Sequence, residues 1–132
     1  MARFQHLPLF QKCYSFSKEV YQLKLKLPQN LKHDLGSDLF KSALKSTKLV
    51  ILANGSENKE RALKELFLEV QVIWVWLRLL VDLKAISTGQ FKELSERLAD
   101  IEKQVSTWMS WDKKQRKLVV QTEVVLAKNQ KS

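Results

Sequence analysis

The chain has 132 residues, of which 45% are hydrophobic and 28% charged, with one cysteine and a formal net charge of +9. This composition is typical of one folded domain, and it excludes both a disordered chain and a small disulfide-stapled one. Gly and Pro are scarce, at three and two residues, which favours helices joined by short turns over a β-sandwich.

The first predicted helix runs from about Leu7 to Leu27. Pro8 suits a first helical turn, and Pro28 cannot continue the helix, so PQNLKHDLG is predicted to be a linker. Alternating spacings of four and three place six apolar residues on one helical face: Leu9, Cys13, Phe16, Val20, Leu23 and Leu27.

The second predicted helix runs from about Ser37 to Asn54, and the dipeptide Asn54-Gly55 ends it. One face carries apolar and small residues: Leu39, Ala43, Ser46 and Val50. Lys41, Lys45 and Lys48 are four and three apart, so they form a stripe roughly opposite that face.

The third helix is predicted from about Ser56, a candidate N-cap, to Ala85, and the fourth from Ser87 or Thr88. Both have apolar residues at alternating spacings of three and four: Leu63, Leu66, Val70, Ile73, Leu77 and Leu80 in the third; Phe91, Leu94, Leu98, Ile101, Val105 and Trp108 in the fourth. Four such helices predict an all-α protein, an antiparallel up-down four-helix bundle over residues 1–112.

The pattern breaks after Trp111, which with Trp108 is predicted to end the fourth helix. Residues 113–132 form a basic, Val-rich C-terminal tail. A helical extension, an added strand and a disordered arm are all compatible with this segment.

The third helix carries a second apolar stripe on the face that should be polar in a bundle helix: Leu68, Val72, Val75, Leu79 and Leu83. A central buried helix would need more protein around it than four helices provide, and an interfacial membrane helix would have one strongly polar face. Arg78 and Asp82 interrupt the segment, so a membrane span is not expected. We therefore expect this stripe to be a homo-oligomer interface, with Trp76 as a candidate anchor.

The positive charge is unevenly distributed. Residues 1–48 carry a net charge of +6 and residues 113–132 carry +5, whereas residues 49–84 are neutral and residues 85–112 carry −2. Such clusters are either a solvated surface or a binding site for a polyanion. The candidate nucleic-acid-binding cations are Lys41, Lys45 and Lys48 in the second helix, and Lys113, Lys114, Arg116 and Lys117 in the tail.

No motif of a nucleophilic, metal-dependent or nucleotide-binding enzyme occurs, so we expect neither enzymatic activity nor a cofactor. The His33-Asp34 pair lacks a partner nucleophile, and Cys13, on an apolar face, reads as an inert core thiol. Trp74 reads as a packing residue. Trp108 and Trp111 lie close to Lys113 and could stack bases or pack at a helix end. No signal peptide is recognised, and the single cysteine fits a cytoplasmic location.

Several stretches resemble a known family. LPLFQKCY, KLPQNLKHDLG and ILANGSENK resemble the four-helix-bundle proteins of ribosomal RNA intervening sequences. EVQVIWVWLRLLVDLKAISTGQFKELSERLADIEKQVSTWMSW resembles the accessory variability determinant (Avd) proteins of diversity-generating retroelements, notably in W-L-R-L-L and ISTGQF. Ser106-Thr107-Trp108 stands where Avd proteins often have Gly-Gly-Trp, and the tail has no counterpart.

The resemblance implies a pentameric ring of bundles with a basic surface. It implies that the ring binds a dedicated reverse transcriptase and template RNA or cDNA, in support of error-prone cDNA synthesis. Arg78 matches a basic position of the family's third helix, and is therefore a candidate partner-binding residue or a paired structural arginine. The rival interpretation is an oligomeric scaffold that binds only protein.

Overall fold

Four long helices make up the protein in a computed structural model that describes residues 3–131. They are α1 (Pro8–Lys26), α2 (Ser37–Gly55), α3 (Glu60–Asp82) and α4 (Thr88–Lys131). A short 3-10 helix at Phe4–His6 precedes α1. The described residues contain no strand, so the all-α prediction is confirmed.

The predicted linker between α1 and α2 is largely helical, which corrects the sequence interpretation. Gln29–Leu31 form an α-helical turn and Lys32–Gly36 form a π-helical turn that runs directly into α2. Gly36 is buried there, and a Cβ at this position would lie 3.0 Å from Leu27 Cδ1 and 3.1 Å from Lys24 Cγ. The absence of a side chain therefore lets this turn pack against the end of α1.

The start of α3 also differs from the prediction. Ser56 is the C-cap of α2, and Asn58 Oδ1 accepts a hydrogen bond from the Glu60 N–H at the first turn of α3. Lys59, which lies between the two helices, donates from Nζ to the carbonyls of Ala53, Asn54 and Ser56. A cation suits this site because the end of a helix exposes unpaired carbonyls and a negative dipole.

The turn between α3 and α4 is specified by local hydrogen bonds. Lys84, with a positive φ of 58°, and Ala85 donate backwards to Val81 and Leu80 in a Schellman motif. Ser87 and Gln90 then form a reciprocal capping box, with bonds of 2.8 and 3.0 Å, that begins α4.

The helices pack as an antiparallel bundle in which each helix contacts the next along the chain, and α4 also packs against α1. Lys12 of α1 pairs with Asp100 of α4, and Leu7 shares a groove with Trp108, so the two helices run in opposite directions. The predicted apolar stripes of all four helices meet in one core, in which every member is buried except Phe91 and Trp108, which are partly buried and pack against it. No helix in the described range is long and apolar enough to cross a membrane.

Trp108 and Trp111 do not end the last helix. α4 continues without a break to Lys131, and side chains 117–130 are all exposed. Of the three conformations left open for the tail, the structure shows the helical extension. It leaves the bundle at the end where α1 and α3 begin, since Arg116 contacts Glu60.

Candidate nucleic-acid and partner interfaces

The predicted lysine stripe lies on the outer face of α2, where all three side chains are exposed. Lys45 Nζ lies 3.5 Å from Glu69 Oε2 on α3, so its charge is partly used in joining two helices. Within the described chain, no carboxylate lies at ion-pair distance from Lys41 or Lys48. These two ammonium groups are therefore available to an anion such as a phosphate.

A row of aromatic side chains beside that stripe was missed by the sequence analysis. Tyr14 and Tyr21 on α1 are exposed, and the Tyr21 ring centroid lies 5.2 Å from that of Phe40 on α2. Lys18 Nζ lies 5.7 Å from the Tyr14 centroid, and Lys24 Nζ lies 5.9 Å from the Tyr21 centroid. The i,i+7 spacing of two tyrosines off the apolar face of α1 is the signal that could have identified them.

Arg78 lies near the C-terminal end of α3 in an exposed pair with Asp82. Its Nε lies 3.0 Å from Asp82 Oδ2 and 3.2 Å from Oδ1. The tail leaves the bundle near Glu60, 18 residues earlier on α3, which is about 27 Å at 1.5 Å per residue. The structure therefore does not bring Arg78 together with the tail cations.

The tail cations do not form a single group. Lys113, Lys114 and Lys117 are exposed. Arg116 instead turns back to the bundle, with Nε 2.9 Å from Asp112 Oδ2 and Nη1 3.1 Å from Glu60 Oε2. Because Asp112 is buried, its carboxylate depends on this guanidinium. Arg116 therefore holds the first turn of the tail against the bundle.

The same cluster perturbs Glu60. A hydrogen bond from Lys64, the nearby charge of Arg116 and the charge of Lys64 lower the pKa of Glu60 below its ordinary value of 4.5. Lys64 Nζ lies 3.0 Å from Glu60 Oε1. Lys64 therefore stabilises the charged carboxylate of Glu60 at the N-terminus of α3, where the helix dipole also favours negative charge.

Four of the five residues of the second apolar stripe of α3 are exposed. Leu68 is 63% exposed and Val75 58%, Leu79 and Leu83 are also exposed, and Val72 is half-buried. Trp76 is half-buried beside the stripe, and its Nε1–H has no hydrogen-bond partner among the described residues. The bundle thus leaves uncovered a stripe that the sequence assigns to an oligomer interface.

A second apolar surface lies where α4 leaves the bundle. Trp108 and Trp111 line a groove of about 630 Å³ together with Leu7, Pro8 and Leu9 at the start of α1. Trp108 packs against the core, whereas Trp111 is exposed. Trp108 therefore has the packing role expected at a helix end. It packs where the bundle ends, although the helix itself continues beyond it.

The residues with nucleophilic or metal-binding potential are dispersed. Burial raises the pKa of the Cys13 thiol to about 12, so it stays protonated and unreactive at neutral pH. His33 is exposed, with Nε2 2.9 Å from Gln29 Nε2. Among residues 3–131, no three His, Cys, Asp or Glu side chains are grouped so as to hold a metal ion.

A family model described as bAvd-like matches residues 7–111. The chain belongs to the bAvd-like family. The match agrees with the resemblance to Avd proteins drawn from the sequence. It ends at Trp111, so the projecting part of α4 lies outside it. A comparison with curated proteins finds no match.

The bAvd-like match covers α1, α2, α3 and the first part of α4. The matched region carries the lysine stripe, the aromatic row and the exposed α3 stripe. These surfaces present cations, aromatic rings and aliphatic side chains to solvent, which are groups suited to phosphate, to unpaired bases and to another protein respectively.

Proposed function

We propose that the protein is a non-enzymatic accessory subunit of a diversity-generating retroelement. In this role it binds the reverse transcriptase and template RNA or cDNA, and supports mutagenic cDNA synthesis. The match to the bAvd-like family supports the assignment to a diversity-generating retroelement. The observation that carries nucleic-acid binding is the outward lysine stripe, in which Lys41 and Lys48 are not used in ion pairs within the described chain.

The functional form that we propose is a homo-oligomer, a pentameric ring, held by the outer stripe of α3. Burying an aliphatic side chain is worth about 1.5–3 kcal/mol relative to leaving it in water. Leu68, Val75, Leu79 and Leu83 are 38–63% exposed in the single chain, so covering them with a second copy would gain roughly half of this value for each side chain. In a ring each copy repeats the lysine stripe, and modest phosphate contacts add through multivalency.

The test of nucleic-acid binding is the triple variant Lys41→Glu/Lys45→Glu/Lys48→Glu. The wild type should bind RNA with an affinity that falls steeply as salt is raised, because each phosphate contact releases counterions. The triple variant should lose most of this affinity and have a shallower salt slope. Its mass by light scattering should equal that of the wild type.

The matched control makes the same change of charge elsewhere on the surface. Lys84, Lys92 and Lys103 are exposed and lie outside the lysine stripe, so their triple glutamate variant alters net charge by the same amount. We expect it to keep most of the affinity. Equal losses in the two variants would show that only net charge matters, and an unchanged affinity in the stripe variant would refute the stripe as the contact.

The test of assembly is the double variant Val72→Glu/Leu79→Glu. It should give a monomer or an aggregate, since carboxylates in an apolar interface are unpaired when buried. Leu25→Glu/Leu52→Glu is the control, because both leucines are exposed on other faces. A wild-type protein that stays monomeric at micromolar concentration would refute this part of the proposal.

A scaffold that binds only protein is the second candidate. The uncovered aliphatic stripe of α3 favours it, since that surface fits a protein and has no affinity for phosphate. Both candidate functions predict co-purification with a neighbouring reverse transcriptase, so that experiment does not distinguish them. Salt-dependent RNA binding distinguishes them, because the scaffold predicts none.

A further inference from the structure

The groove between α1 and α2 exposes aromatic rings to solvent. Tyr14 is 55% exposed and Tyr21 42%, and both line a groove of about 310 Å³ together with Phe40 and Leu44. The two tyrosines are seven residues apart on one helix, which separates them by about 10.5 Å at 1.5 Å per residue. Two partly exposed rings thus lie along one surface, and one face of the Tyr14 ring stacks on Phe10 with the ring centroids 6.2 Å apart.

Cations surround these rings on both sides. Lys18 and Lys24 lie over the Tyr14 and Tyr21 rings, and Lys24 Nζ is also 6.0 Å from the Phe40 centroid. On α2, Leu44 is three residues after Lys41 and four before Lys48, so these two lysines lie on the same helical face as the groove residue. None of the described residues that line the groove is acidic.

This combination of groups selects one class of partner. Interfaces between proteins are depleted in lysine, and a second copy would bring the same cations against this one. Duplexes keep their bases stacked inside, where a surface tyrosine does not reach them. Unpaired bases offer π-faces to aromatic side chains, and their phosphates lie within reach of flanking cations.

We propose that the groove between α1 and α2 is a stacking platform for single-stranded nucleic acid. Tyr14 and Tyr21 stack unpaired bases when the ammonium groups of Lys18 and Lys24 move off their rings, and these two lysines and the lysines of α2 contact the phosphates of the same strand. The separation of the tyrosines corresponds to roughly three steps of 3.4 Å along a stacked strand. The inference rests on the proposed nucleic-acid binding and narrows it to unpaired strands.

The test replaces the rings and keeps their apolar bulk. Tyr14→Leu/Tyr21→Leu retains every lysine, and both sites are exposed, so the bundle should fold as before. The probes are a single-stranded oligouridine of about 16 nucleotides and an RNA duplex of equal length. We expect affinity for the single strand to fall about tenfold or more, since each stacked base accounts for at least several-fold in affinity. Duplex affinity and the salt slope should stay within about twofold of the wild type, because the cations are unchanged.

The matched control is Tyr14→Phe/Tyr21→Phe, which keeps the rings and removes only the hydroxyls. It should bind the single strand as the wild type does, because stacking uses the π-face. An affinity as low as that of the leucine variant would refute stacking. Melting monitored by circular dichroism confirms that both variants are folded.

The remaining outcomes separate this inference from the proposed function. If the wild type binds neither probe, the proposed function itself fails. If the wild type binds and the leucine variant binds equally well, only the groove inference is overturned. If the leucine variant has an altered mass by light scattering, the groove is a subunit interface and the inference is wrong. Equal losses for both probes would refute the preference for single strands.

Discussion

Arg116→Gln is the change that most directly separates a structural cation from a nucleic-acid-binding one. The guanidinium bonds the buried carboxylate of Asp112 at 2.9 Å and reaches Glu60 at 3.1 Å. Glutamine is shorter and uncharged, so it removes both ion pairs and leaves Asp112 charged and without its cation. We expect the free energy of unfolding to fall and the affinity for RNA to stay the same.

The magnitude follows from the burial of the two partners. Breaking a fully buried ion pair from one side costs about 3–5 kcal/mol, and a hydrogen bond to a charged group contributes about 1.5–3 kcal/mol. The Asp112 side chain is 7% exposed but that of Arg116 is 38% exposed, so solvent screens part of the interaction. We therefore expect a loss of about 2 kcal/mol. For a domain of this size that corresponds to roughly 6–10 °C in melting temperature.

The assay is urea unfolding followed by circular dichroism at one fixed protein concentration, because assembly would make stability depend on concentration. The double variant Asp112→Asn/Arg116→Gln is the control, and it should lose less than the sum of the single changes, since neither partner is left charged. Lys113→Gln/Lys114→Gln should instead weaken RNA binding without a change in stability. The reasoning is refuted if Arg116→Gln unfolds like the wild type while its RNA affinity falls as in the lysine variant.

Four further outcomes follow from the structure. Cys13 should react with a disulfide reagent at pH 8 only as fast as the protein opens. Because its pKa is raised from the ordinary 9.0, the contribution of the protonated thiol to the free energy of unfolding is complete below pH 9.0 and declines as the pH rises towards about 12. Glu60 has a lowered pKa, so its contribution is complete above pH 4.5 and is lost as the pH falls through the folded value; acid titration of Glu60→Gln should show a shallower loss of stability than the wild type. Lys84→Gly should raise the free energy of unfolding by about 0.5 kcal/mol in urea titrations, because φ of 58° suits glycine. Deleting residues 118–132 should leave the melting temperature within about 2 °C, since side chains 118–130 are exposed; a larger fall would show that the extension stabilises the bundle.

The helices themselves were predictable because their signals are local and repeated. The alternating spacing of Leu9 to Leu27 and of Leu63 to Leu80 specifies a helical face wherever the segment lies in space, and these residues form the core. The second stripe of α3 was predictable for the same reason, and the structure leaves it exposed. The boundaries were less predictable, because a cap depends on one or two hydrogen bonds, as the move of the α3 start from Ser56 to Glu60 illustrates.

The tail shows how far the sequence alone reaches. Its charge and valine content are plain in the sequence, yet helix, strand and disordered arm were equally compatible with them. The free-energy cost of a helix lies in forming its first turn, whereas adding further residues costs little. The part of α4 before Asp112 is already helical, so the tail residues only have to extend it. Continuation of that helix is therefore a property of the bundle as well as of the tail residues.

The sequence by itself determined the fold class, the four helices, the lysine stripe and the family resemblance, since each is a pattern along one segment. Only the tertiary structure decided which cations are free: it joins Arg116 to Glu60 across 56 positions and leaves Lys41 without an ion pair in the described chain. It alone placed the rings of Tyr21 and Phe40 together across two helices. The physical reason is that a helical period fixes the face on which a side chain lies, whereas its partner is set by how the helices pack.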